Sequence, residues 1–264
     1  MKRFILLGCL IAMSGCQKVV DLNLRSTKPW IVIEGNVTDQ PGPYMVSIRT
    51  TVNFNAGNIF PGISGASVTI SDNEGVMDSL TESSPGVYMT HILQGKPGNT
   101  YTLKAMVHDT LYTAVSSMPQ PVTFDSIHFN LNSILGKDRI SAAPCFQDPA
   151  GVKNYYQFLE FINGKQLTKD IFVFDDRLSD GRYISRNLRN DSTYIQPGDS
   201  VEVRMFCIDK PIFDYFFQLD QSSGNSAMNT TASPSNPVSN IDNGALGYFS
   251  AHTWRRMRAK APAK

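Results

Sequence analysis

The sequence predicts a mainly β protein, an N-terminal immunoglobulin- or prealbumin-like β-sandwich followed by a second β-rich domain that carries one short helix. Three observations lead there. Apolar and polar residues alternate in stretch after stretch from Trp30 onward, the two-residue period of half-buried strands. Clusters of Gly, Pro, Asn, Asp and Ser interrupt those stretches at roughly eight-to-twelve-residue spacing, as in sandwiches. Charged residues make up only 18% of the chain, and helical spacing stands out in one segment, near 210–222.

Taken in order, the chain opens on Met1-Lys2-Arg3, an apolar run over 4–13, and Ser14-Gly15-Cys16. Two basic residues before a short apolar run form the first parts of a secretory signal. The run falls well short of the roughly 20 residues that span a bilayer. Met13-Ser14-Gly15-Cys16 resembles the bacterial lipobox, with Met13 where Leu is usual. Residues 1–15 are therefore expected to be cleaved, leaving Cys16 as a lipidated N-terminus. Gln17-Lys18 places no aspartate beside Cys16, a pattern that fits the outer membrane; which side the body faces stays open.

Residues 16–28 read as a lipid-anchored tether. Residues 29–121 read as the sandwich: Trp30 opens a strand, Gln40-Pro41-Gly42-Pro43 turns, Tyr44 to Arg49 alternates, and Ala66 to Ile70 is a third strand. Pro85-Gly86, Pro97-Gly98 and His108-Asp109 separate the remaining strands by ordinary turn chemistry. Met118-Pro119-Gln120-Pro121 is a stiff link, and 122–264 is assigned to the second domain. There Tyr155 to Ile162 forms an aromatic strand that ends in Asn163-Gly164, a strong two-residue hairpin signal. Asp209 suits an N-cap, Pro211 the first turn, and Ile212, Tyr215, Phe216 and Leu219 fall at helical spacing. A last strand, 245–252, precedes what reads as a basic tail from Arg255.

Composition excludes some classes. Of 24 basic residues, Lys2 and Arg3 precede the cleavage point, leaving 22 against 23 acidic ones, so no basic field exists for nucleic acid. His91, His108, His128 and His252 form no close metal pair, and no nucleophile elbow occurs. No catalytic residue, cofactor or metal site is assigned. Asp170, Asp175, Asp176 and Asp180 could hold calcium on a loop, but they miss the EF-hand spacing and suit turns equally. Tyr155, Tyr156, Phe158, Phe161, Phe172 and Phe174 could line a groove or form core and cross-strand pairs. Cys145 and Cys207 remain after processing; a disulfide between them is one reading, two inert buried thiols the other.

The chain as a whole resembles the DUF4249 family, lipoproteins of the Bacteroidota. The resemblance rests on Val20-Asp21-Leu22-Asn23-Leu24, Ile33-Glu34-Gly35-Asn36-Val37, Gly95-Lys96-Pro97-Gly98-Asn99, Asp209-Lys210 and Gly244-Ala245-Leu246-Gly247-Tyr248-Phe249. It implies an outer-membrane-associated protein, often encoded beside a TonB-dependent transporter, with no established activity to carry over. The expected function is a non-enzymatic binding or accessory subunit, with the transporter and the membrane as its partners. A structural or adhesive surface protein is the alternative, and a hydrolase is a third reading.

Overall fold

A computed structural model describes residues 29–53, 57, 59–134, 137–188, 194–222 and 235–263. The signal, Cys16 and the tether lie outside the described residues. The first eight strands are β1 (Ile31–Thr38), β2 (Met45–Thr50), β3 (Ser67–Asp72), β4 (Met77–Ser79), β5 (Thr81–Ser84), β6 (Val87–Met89), β7 (Thr100–Val107) and β8 (Thr110–Ser117). Then come β9 (Ser126–Ile134), β10 (Lys137–Gln147), β11 (Tyr155–Ile162), β12 (Lys165–Gln166), β13 (Phe172–Asp175), β14 (Tyr183–Ser185) and β15 (Ser200–Ile208). The helix α1 (Lys210–Ser222) and a long strand β16 (Leu246–Lys260) complete the described elements. The protein is mainly β, as the alternation predicts. Among the described residues, no helix is long and apolar enough to cross a membrane.

The strands form one nine-stranded sheet and two smaller ones. The large sheet runs β12-β11-β15-β16-β1-β2-β6-β5, with β13 also paired to β11. Sheet β4-β3-β7-β8 closes the first core, around Ile33, Ile48, Tyr88, Tyr101 and Leu103. Sheet β14-β10-β9 closes the second, around Phe146, Tyr156, Phe158, Val203 and Met205. Val203 and Met205 of β15, Phe249 and Ala251 of β16, and Met257 further along it all belong to these two cores. Their shared odd parity, with pairs such as Val203–Met257, puts the two small sheets on the same face of the large one. On the opposite face α1 packs against Phe206, Ile208 and Tyr248.

β16 joins the two halves. Its first part pairs parallel with β1, from Val32–Leu246 to Thr38–His252. Its second part pairs antiparallel with β15, from Cys207–Thr253 to Ser200–Lys260. The expected basic tail is thus a strand: Arg256 and Arg258 face outward, and Arg258 joins Arg204 on the nearly buried Glu202 of β15. The pairing also moves sequence between cores. Ile241, Ala245, Phe249 and Ala251, all well past residue 122, fill the first core. Two glycines make the parallel pairing fit. Gly35 lies under the Phe249 ring, where a Cβ would come within 3.1 Å of it. Gly247 has φ near +93°, and a Cβ there would meet the Ile33 carbonyl oxygen at 2.1 Å.

Local predictions hold where turn chemistry decides them. Asn163 and Gly164 both take positive φ and join β11 to β12. Asp209 caps α1, its Oδ1 accepting from the Ile212 N–H at 3.3 Å. Its Oδ2 accepts from the Ser116 hydroxyl (2.7 Å) and the Ser117 N–H (3.0 Å) of β8. Ser116 in turn accepts from the Ala251 N–H at 2.8 Å. One cap therefore ties the helix, the first sandwich and β16. Of the two readings for Cys145 and Cys207, the structure carries the second, and both thiols are free and buried. Parity explains it: Ala142 and Phe146 of β10 enter the second core beside Cys207, so the odd-numbered Cys145 faces away. Its Sγ lies 3.3 Å from the Ser185 hydroxyl instead.

His252 sits where β16 changes partner. Its Nδ1 lies 2.9 Å from the Ser250 hydroxyl, and its ring meets Phe206 edge-on. Burial pulls its pKa down to about 4 and keeps the ring neutral. In the unfolded chain the same ring takes a proton near pH 6.5. As pH falls from 6.5 toward 4 only the unfolded state gains that proton, and stability is expected to drop by up to about 3 kcal/mol. Urea titrations across this window should show a flatter pH dependence for His252→Asn than for the wild type; parallel curves would refute the assignment.

Candidate functional site

The second half carries a cleft between α1 and the segment 170–188. Its floor follows from the alternation of β11 and β13. Tyr156, Phe158 and Phe174 turn into the core, with Phe158 and Phe174 stacked at 5.3 Å. Tyr155 and Val173 turn the other way and receive the helix through Ile212, Phe213 and Phe216. The predicted aromatic set therefore divides: three rings are core, and Tyr155 pairs with Phe213 at 5.2 Å between ring centroids. Phe161 lies under the Arg204 guanidinium at 4.3 Å, and Phe172 borders the cleft.

Three adjoining recesses make up the cleft, and Phe217 lines all of them. One, of about 740 Å³, is edged by Asn130, Asp170, Arg186, Asn187 and Asp220. A second, of about 720 Å³, is edged by Lys153, Asp175, Arg177, Lys210 and Asp214. Phe213 and Phe217 flank the Ile212/Phe216 stripe of the helix. Only Phe213 docks; Phe217 stacks on it at 5.7 Å and stays 45% exposed. The polar rim is mostly self-paired: Arg177 Nε lies 2.6 Å from Asp175 Oδ2, and Lys210 pairs with Asp214 one turn on. Arg186 covers the Phe174 ring at 5.1 Å. Burial and the neighbouring Asp170 charge raise the Asp220 carboxyl above its usual range. The result is an open trough with an aromatic ridge and charged walls of both signs, suited to an amphipathic ligand.

The acidic residues regroup. Asp175 pairs with Arg177, and Asp170 edges the first recess. Asp176 and Asp180 instead meet Asp148, just after β10; carboxylate oxygens of the three lie within 4.8 Å of one another. Each accepts a backbone N–H: Asp148 from Gly181 (3.1 Å), Asp176 from Asn154 (2.7 Å) and Asp180 from Gly151 (2.8 Å). Asp148 also accepts the buried Tyr156 hydroxyl. Burial, joined by the charges of Asp176 and Asp180, holds the Asp148 carboxyl above the usual range despite those donors. These bonds pin the loops 148–154 and 176–181 to each other and shape the end of the cleft. Elsewhere, His91 Nε2 lies 2.9 Å from the Thr81 hydroxyl, His108 sits in the β7–β8 turn with φ near +51°, and His128 lies on β9.

A family model described as a domain of unknown function, DUF4249, matches residues 17–258, and the chain belongs to that family. Among curated proteins, none matches the sequence. Two of the segments that carry the resemblance are direct neighbours: Glu34 pairs with Tyr248 and Gly35 with Phe249.

The two stacked phenylalanines should separate packing from binding. Phe213→Ala is expected to cost about 3 kcal/mol, as for a buried ring. Phe217→Ala should cost under about 1 kcal/mol, since its ring is already half in water. Denaturant unfolding of both variants measures this, and an equal, large loss would mean that Phe217 is structural.

Proposed function

We propose that this chain is an outer-membrane-associated lipoprotein, acylated on Cys16, that serves as a non-enzymatic binding or accessory subunit beside a TonB-dependent transporter. The observation that carries the reading is the lipobox at Met13-Ser14-Gly15-Cys16, followed directly by the family match from residue 17. Several acyl chains on one residue hold a protein to a bilayer far more firmly than one chain does, at about 0.8 kcal/mol per buried methylene. The cleft beside α1 supports the binding role, because Phe217 offers apolar surface that packing does not use. The Bacteroidota as source and palmitate among the acyl groups belong to the same proposal.

Cys16→Ser is expected to move the protein from the detergent-soluble membrane fraction to the aqueous fraction and to raise its mass by the retained signal. Unchanged fractionation would remove both the anchor and the accessory role. With the anchor intact, cross-linking in native membranes should capture a large outer-membrane β-barrel, and weaken when Phe217 is replaced by Asp. Efficient recovery of the protein alone would favour the adhesive alternative.

A further inference from the structure

The end of the first sandwich from which the chain emerges exposes several large apolar side chains. Trp30, Ile59, Phe60, Met106 and Leu111 are exposed, from 41% at Met106 and Leu111 to 82% at Ile59. Local bonds hold the segments that carry them at the same end. Trp30 and Thr51 exchange two hydrogen bonds at 2.9 Å, and the neighbouring Thr50 N–H donates to the Pro61 carbonyl at 3.0 Å, which brings the 59–61 segment alongside. On the other side, Trp30 lines a recess of about 660 Å³ with Val107, His108 and Asn243. Asn243 donates to the Leu111 carbonyl at 2.6 Å, and Leu111 pairs with Met106 across the β7–β8 hairpin. Arg49, opposite Val32 on β2, adds an exposed cation, while Asp109 in the hairpin turn and Asp242 beside Asn243 are exposed anions.

Ile59 and Phe60 lie in a loop, Trp30 precedes β1, and Met106 and Leu111 are exposed positions of β7 and β8, so none is needed to fill the core. Exposed apolar clusters of this kind mark contact surfaces. What covers it follows from where the chain leads. Twelve residues, 17–28, separate Cys16 from Pro29, the first described residue and a wall of the same recess. Fully extended they reach at most about 43 Å. A lipid on Cys16 therefore keeps this end of the body within that reach of the bilayer, while every other surface can lie farther away. Tryptophan with flanking aliphatic and phenylalanine side chains is the composition that settles at the headgroup–acyl boundary.

We infer that this end of the sandwich docks on the bilayer surface, with Trp30, Phe60 and Leu111 entering the lipid interface, so that the protein rests on the membrane rather than swinging on its tether. The inference takes lipid attachment at Cys16 from the proposed function and adds the orientation of the body. The chain has two tryptophans, and the other, Trp254, stacks with Phe206 on the large sheet. Trp254→Phe in the acylated protein thus leaves Trp30 as the reporter.

In phosphatidylethanolamine–phosphatidylglycerol vesicles containing lipid brominated high on the acyl chain, Trp30 emission should shift to the blue and be quenched about twofold or more. Leu111→Asp with Phe60→Asp should abolish the quenching while flotation with the vesicles persists. A protein that floats with vesicles but keeps the Trp30 emission of a water-exposed ring overturns the docking and leaves the anchor standing. A protein that fails to float overturns the anchor. Docking is then read on the chain from Gln17, held by an N-terminal histidine tag to nickel-chelating lipid in the same vesicles, with the same two outcomes. Quenching that survives in Trp30→Phe protein would belong to Trp254 and would also overturn the assignment.

Discussion

Everything in this fold turns on one strand having two partners. β16 runs parallel beside β1 as far as His252 and antiparallel beside β15 from Thr253. Without it the large sheet would be two sheets, each with an exposed edge, and exposed edges invite pairing with other chains. With it, the backbone donors and acceptors of β1 and β15 are satisfied by one continuous segment. The demand on the sequence is severe at the parallel half. Gly247 must take a positive φ against the Ile33 carbonyl, and Gly35 must leave room for the Phe249 ring. Around the change of partner, Asp39 fixes the strand from outside β1, accepting from the Trp254 N–H at 3.1 Å and pairing with Arg255.

The same strand positions the cleft. β15 reaches Ile208 beside the middle of β16, and Asp209 turns the chain out of the sheet into α1. Because Asp209 binds Ser116 and Ser117, the helix start is fixed by the first sandwich as well as by its own cap. Burial raises the Asp209 carboxyl even so, which shows how much desolvation this junction carries. The helix then lies across Phe206 and Tyr248, with Tyr155 and Val173 at its side. Its remaining aromatic edge, Phe217, stacks on Phe213, stays largely exposed and forms the ridge of the cleft. The trough is thus a consequence of a helix docked by one face on a sheet wider than itself.

The sequence made strands, turns and the helix legible because each depends on neighbours within a few residues. Asn163-Gly164 needs only its own positive φ values, and Asp209 only the next turn of chain. What escaped depends on distant partners. Arg255 to Lys260 reads as a tail because charge dominates it. Its strand character rests on Met257 entering the second core and on Glu202, 56 positions earlier, receiving Arg258. The Cys145–Cys207 pairing was readable as chemistry but not as parity, since only the β10 register shows which side faces the core. At the cleft, the aromatic strand was legible, while the grouping of Asp148 with Asp176 and Asp180 required two loops to be brought together.

The family resemblance fits this division. Its segments fall on Glu34-Gly35, Gly95-Lys96-Pro97-Gly98, Asp209-Lys210 and Gly244 to Phe249, which are places where backbone geometry is demanding. A Cβ on Gly95 would meet the Thr38 carbonyl oxygen at 2.0 Å, and one on Gly247 the Ile33 carbonyl oxygen at 2.1 Å. These positions specify how two sandwiches share a sheet, and that arrangement has a direction. β1 and β16 both start at the end where Pro29 emerges, and β16 continues past the end of β1 into the second core. Fifteen residues of strand span about 50 Å. The second core therefore lies beyond the first, away from the end at which Pro29 emerges. A chain built in this way separates the surface around Pro29 from the cleft farther along, and it does so through a single run of backbone hydrogen bonds.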